Sequence, residues 1–234
     1  MVNERLLADN LAAVKEEIAA AAQRGGRNPA DVTLVAVTKY VDADITRALV
    51  RAGCRAVAEN RPQTLWRKAE LLQDLPIEWH MVGHVQRNKI RRTLPLVTWI
   101  QSVDSTRLLD SLQKESRRLD RRPRILLEVN ISRDAEKTGL LPDEAIALAP
   151  RLSEWDALDI RGLMAMSGRL SNRDECRREF SALRMLRDRM QQECPPGVSL
   201  SHLSMGMSAD YASAVEEGAT MVRVGSALFQ GLDA

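Results

Sequence analysis

Aromatic residues are scarce in this chain: 234 residues include four Trp, two Tyr and two Phe. The tryptophans, at 66, 79, 99 and 155, are scattered, so no row of stacking platforms for single-stranded nucleic acid is expected. An excess of one charge is missing too. Thirty-four Lys and Arg stand against 32 Asp and Glu, a formal charge of +2, far from the imbalance that neutralises a phosphate backbone, so nucleic acid is not an expected partner. Nowhere do the ~18 apolar residues needed to span a membrane run together, and Glu4, Arg5 and Asp9 interrupt the N-terminus; neither a membrane span nor an export signal is expected. Cysteine is rare and odd in number. Cys54, Cys176 and Cys194 lie far apart with no C-x-x-C pair, which provides no disulfide or zinc framework and fits a reducing, cytoplasmic setting.

What the chain does have is material for a core. With 44% hydrophobic residues, 12 Gly and 9 Pro, it reads as one globular domain over 1–234, with a helix and turn in 1–30 packed on it. Leu7, Leu11, Val14 and Ile18 recur at intervals of four, three and four, an amphipathic helix that Gly25, Gly26 and Asn28-Pro29 terminate. Val32-Thr-Leu-Val-Ala-Val-Thr38 follows with almost no polar alternation, as in a strand buried on both faces. From there short apolar runs alternate with helical stretches. Strands are expected near 32–38, 55–59, 77–82, 97–102, 124–130, 158–164, 199–203 and 220–224, and helices near 42–52, 62–73, 86–93, 104–120, 142–152, 172–193 and 208–217. Eight such units fit a parallel α/β architecture: a single (β/α)8 TIM barrel with an extra N-terminal helix, with an open doubly wound sheet as the alternative.

Several residues stand where barrel chemistry is built. Lys39 ends the first strand on the face of Val35 and Val37, and a lysine stripped of water there acts as a neutral amine able to form a Schiff base with an aldehyde; the plain alternative is a strand-end lysine reaching solvent. Leu203-Ser-Met-Gly-Met-Ser208 follows strand seven and Arg223-Val-Gly-Ser226 follows strand eight at the mouth of an expected final helix, where barrels commonly hold a phosphate on backbone N–H groups; Gly206 and Gly225 otherwise serve tight turns, with Ser208 or Ser226 as caps. Glu59-Asn60 either orients a ligand or caps the helix opened by Pro62. His80 and His84 are four apart but lack the H-E-x-x-H context, so one is read as lining the barrel mouth and the other as satisfying a loop, with no metal. The arginines at 117, 118, 121, 122 and 124 read as a solvated helix end. Met164, Met166, Met205 and Met207 read as packing.

Taken together and in order, these motifs resemble the pyridoxal 5′-phosphate homeostasis proteins. Val35-Ala-Val-Thr-Lys39, Glu59-Asn60, Trp79 to Lys89, Ser102-Val-Asp104, Glu128 to Ser132 with Lys137-Thr-Gly139, Gly162 to Met166, Leu203 to Ser208 and Met221 to Ser226 carry the likeness over roughly residues 5 to 230. The resemblance implies a barrel of the alanine-racemase N-terminal type that holds pyridoxal 5′-phosphate (PLP) as an internal aldimine on Lys39. It implies a phosphate held by Ser204, Gly206, Gly225 and Ser226, with Arg223 facing the pyridine nitrogen and Asn60 lining the pocket. Ala58, Arg61-Pro62-Gln63 and Phe229-Gln230-Gly231 depart from the usual family residues. The implied role is an intracellular PLP carrier or buffer, monomeric, with PLP-requiring enzymes as recipients and no turnover. The alternative is a weak PLP-dependent amino-acid racemase. A guanidinium has no proton to cede to the ring nitrogen, and neither Tyr40 nor Tyr211 is placed by a motif as a second acid/base, which favours the carrier.

Overall fold

The computed structural model describes residues 2–134, 136–168 and 172–232. Eight parallel strands close into a barrel in sequence order: β1 (Thr33–Val37), β2 (Ala56–Glu59), β3 (Glu78–Met81), β4 (Trp99–Val103), β5 (Arg124–Glu128), β6 (Asp159–Met164), β7 (His202–Ser204) and β8 (Met221–Val224). Closure is made by β1 and β8, with Thr33 beside Met221 and Ala36 beside Val224. The open doubly wound alternative is thereby excluded, because both edges of the sheet are paired. Each strand falls within a few residues of its expected place.

The surrounding helices are α1 (Glu4–Arg24), α2 (Ala43–Arg51), α3 (Pro62–Leu71), α4 (Ile90–Thr93), α5 (Thr106–Leu119), α6 (Pro142–Leu148), α7 (Arg173–Glu193) and α8 (Tyr211–Glu216). The expected helices at 86–93 and 142–152 are each part 3₁₀, over Arg87–Lys89 and Ala149–Glu154. Asn3 Oδ1 accepts from the Leu6 N–H at 3.1 Å to start α1, and Leu7, Leu11, Val14 and Ile18 are all buried, so the apolar stripe read from sequence is the packed face.

The chain after β8 differs from expectation. The phosphate-side turn was expected to open a final helix, whereas the described residues there form turns, with Leu228 N–H bonded to the Gly225 carbonyl and Phe229 N–H to that of Ser226. No helix follows β8 among them. The helix counted as extra takes that place: α1 packs against both α8 and α2 and covers the wall where β8 meets β1. Asn10 Nδ2 donates to the Leu228 and Gln230 carbonyls, at 3.2 and 2.9 Å, tying α1 to those turns.

The barrel is filled rather than hollow. Val35, Ala56, Ala58, Trp99, Leu126, Met164 and Met221 form an interior cluster, separate from the larger core between strands and helices. Trp99 closes its lower end, its indole N–H donating to Glu78 Oε1 at 2.7 Å while its ring stacks on His80 and meets His202 edge-on. Among the described residues no helix is long and apolar enough to cross a membrane.

Candidate functional site

At the C-terminal end of the strands a cavity of about 700 Å³ opens between the β1, β2, β3, β6, β7 and β8 loops. Val37, Val41, Ile45, Val82, Met166, Met207 and Phe229 give it apolar walls, and Lys39 and Arg223 give it two cations. Among the described residues that line it there is no carboxylate. Such a cavity selects an anionic ligand with an apolar body.

Of the seven residues that the resemblance assigns to the cofactor, five line it: Lys39, Asn60, Arg223, Gly225 and Ser226. Lys39 lies two residues past the end of β1, exposed, with Nζ 4.7 Å from the Tyr40 ring centroid. The sequence reading placed it in a dehydrated wall; β1 stops at Val37, and the apolar wall begins with that residue. Arg223, on β8, is 4% exposed, and burial pushes its guanidinium down to about 10. Among the described residues it makes no ion pair. Its Nη1 donates to Ser204 Oγ at 2.7 Å and its Nη2 to the Ala165 carbonyl at 2.9 Å.

Ser204 and Gly206 do not line the cavity. Ser204 lies beneath it, where its hydroxyl accepts from Arg223 and donates to Gln101 Oε1 at 2.7 Å. Gly206 shapes the turn: its φ is +92°, a Cβ there would come within 2.6 Å of the Ala214 Cβ, and its carbonyl accepts from the Arg223 N–H. The serine of the β7 turn that reaches the cavity is Ser208, whose hydroxyl accepts from the Gly225 and Ala227 N–H groups at 3.1 and 3.4 Å and so joins the two turns. Its presence in the Leu203 to Ser208 motif was a signal; nothing in sequence said which serine faces inward.

The polar chain continues down the barrel axis. Gln101 Nε2 lies 2.8 Å from His80 Nδ1, and burial, seconded by Arg124, drives His80 down to about 3. His80 therefore accepts at Nδ1 as a neutral ring. His80 and His84 are separated by the fold: neither lines the cavity, His80 is enclosed beside Trp99, and His84 is exposed and 3.2 Å from Asp104. Among the described residues no three metal-ligating groups converge.

Beneath Lys39 and Asn60 lies a pair that sequence reasoning missed. Glu59 and Lys68 are 0% and 1% exposed and 2.6 Å apart, and Thr38 Oγ1 donates to the same Glu59 oxygen at 2.7 Å. Burial lowers the Lys68 ammonium against the opposing pull of Glu59. The register of Asn60 is set from the other side by Gly83, since a Cβ at that position would lie 2.1 Å from the Asn60 carbonyl oxygen.

A parallel eight-stranded barrel with a lysine after β1 and glycine-serine turns after β7 and β8 defines the class, and residues 10–233 match the family model described as alanine racemase, N-terminal domain. The chain belongs to the pyridoxal phosphate homeostasis protein family within it. It is 37% identical to that protein of Aquifex aeolicus (94% of this chain, 96% of the relative) and 34% identical to that of Escherichia coli K12 (97% of each). Among solved structures, PipY of Synechococcus elongatus with PLP bound superposes at a TM-score of 0.85 with 35% identity, covering 95% of this chain and 99% of PipY. Alanine racemase of Clostridium difficile shares the fold at 13% identity and a TM-score of 0.72, with 94% of this chain covering 56% of the racemase.

Proposed function

We propose that this protein binds PLP in the cavity above β1 and β8 and serves PLP homeostasis as a carrier or buffer, with Lys39 as the covalent anchor. The observation that carries the reading is the lining itself: one exposed primary amine, one buried guanidinium, the turns at Ser208-Ala209 and Gly225-Ser226 and apolar walls, with no carboxylate among the described residues there. The residues fit the group. The turns at Ser208 and Ser226 leave the Ala209 and Ser226 N–H groups without a protein acceptor among the described residues, as a phosphate cradle requires. Gly225 brings its backbone against β1, where a Cβ would stand 3.2 Å from the Val37 carbonyl.

When bound, PLP supplies an aldehyde that condenses reversibly with a primary amine. The chain's residues do the rest. Ser226, Ala209 and Ser208 would hold the phosphate, while Val37, Val82 and Met207 would exclude water from the ring. Arg223, held by Ser204 and the Ala165 carbonyl, would offer the ring a charged donor without a proton to cede. That arrangement would make the ring a poor electron sink, which favours holding and release to PLP-requiring enzymes over turnover.

The test is borohydride reduction of the protein incubated with PLP, followed by intact and peptide mass. A phosphopyridoxyl adduct on the Lys39 peptide is expected. Absence of an adduct, or label spread over surface lysines, overturns the reading.

A further inference from the structure

Lysine and glutamate are almost never fully buried without a reason in the fold, and their pairing is a poor source of stability, because the cost of removing both charges from water offsets most of their attraction. The Glu59–Lys68 pair is not even completely satisfied: Glu59 Oε2 is buried with no hydrogen-bond partner among the described residues. Its placement supplies the reason. Lys68 Nζ donates at 2.7 Å to the carbonyl of Thr38, the residue before Lys39, and at 2.6 Å to the side chain of Glu59, the residue before Asn60. The ammonium thus joins the two chain segments that deliver Lys39 and Asn60 to the cavity.

Thr38 is held through its main chain and its side chain. Its N–H donates to the Ala58 carbonyl, its hydroxyl to Glu59, and its carbonyl accepts from both Lys68 Nζ and the Val41 N–H. A peptide bond is planar, so fixing the Thr38 carbonyl fixes the plane from which the Lys39 Cα departs. Lys39 itself is exposed, on a turn past the end of its strand, with a long side chain that would otherwise sample many positions.

We infer that Lys68 is a positioning residue for Lys39: through the Thr38 carbonyl and Glu59 it sets where the anchoring amine stands relative to Asn60 and the phosphate turns. The inference rests on the proposed function and names the device that makes the covalent link, rather than mere occupancy of the cavity, favourable. Misplacing a reacting group by about 1 Å costs up to about a hundredfold in reaction without preventing non-covalent binding.

The test compares PLP with its alcohol counterpart, pyridoxine 5′-phosphate, which offers the same ring and phosphate but no aldehyde. Kd for each is measured by calorimetry on the wild-type protein, on Glu59→Gln, and on Glu59→Gln/Lys68→Met, which removes both charges and leaves no orphaned ion. In the double variant the aldehyde preference should fall about tenfold or more while the Kd of the alcohol moves less than about threefold. Glu59→Gln keeps the Lys68 bond to the Thr38 carbonyl and should retain the preference. If the double variant does not fold, Glu59→Gln/Lys68→Gln carries the same comparison. Equal loss for both ligands, or an unchanged preference, overturns the inference. Wild-type protein with no preference for the aldehyde overturns the Lys39 reading and this inference with it.

Discussion

Two buried cations serve opposite ends. Lys68, on α3, has its carboxylate 2.6 Å away, whereas Arg223, on β8, has none within ion-pair distance among the described residues and relies on a serine hydroxyl and a main-chain carbonyl. The first charge is neutralised within the fold and fixes chain segments. The second is left for a ligand, with the cavity above it and a neutral His80 at the end of the chain below it. A buried charge answered by protein is structural; one left unanswered beside a cavity is a binding group.

The strongest way to break this contrast is Lys68→Met alone, which leaves the fully buried Glu59 without its counter-ion. Unfolding in urea should show a loss of about 3–5 kcal/mol. A variant as stable as wild type would mean the pair is not the tie described.

His80 sharpens the contrast by pH. The folded protein keeps it neutral down to about 3, while the unfolded chain takes up a proton below the ordinary 6.5. The unfolded state therefore binds more protons between those values, and stability falls as pH is lowered through that window, by about 1.4 kcal/mol per pH unit from this group. His80→Gln should remove that part of the slope, measured as unfolding free energy from pH 6.5 downward.

The smallest stability effect is expected where the charge is unanswered. Arg223→Met loses hydrogen bonds to Ser204 and Ala165 but relieves a buried cation that Asp210 and Glu128 offset only without direct contact, so unfolding free energy should change by less than about 1 kcal/mol. Its ligand effect should be large by comparison: the rise in melting temperature on adding PLP, present in wild type, should shrink. A strongly destabilised variant that still gains the full rise would place Arg223 with Lys68.

The eight strands were legible because each is a short run such as Leu34-Val35-Ala36-Val37, and a buried parallel strand needs no polar alternation. Lys39, Arg223, Gly225 and Ser226 were legible because each lies at or just beyond the C-terminal end of a strand, where a barrel's loops gather. Lys68 was not. It sits in Pro62–Leu71 among Arg67, Glu70 and other polar residues, and nothing local separates a buried lysine from a solvated one. Ser204 was given to the phosphate by the family resemblance, yet as the last residue of β7 its hydroxyl points inside the barrel to Gln101. The helix expected after β8 failed because α1 already packs on that side.

The sequence by itself determined the alternation of strand and helix, the face of α1 that is buried, and the loops in which charge and glycine collect, since these depend on residues a few positions apart. The tertiary structure decided which distant groups meet. Lys68 reaches the Thr38 carbonyl across 30 positions and Ser204 reaches Gln101 across 103, and neither contact exists until the sheet closes. Closure brings the strands into one ring, and with it comes the division between a charge the protein answers itself and one it leaves open.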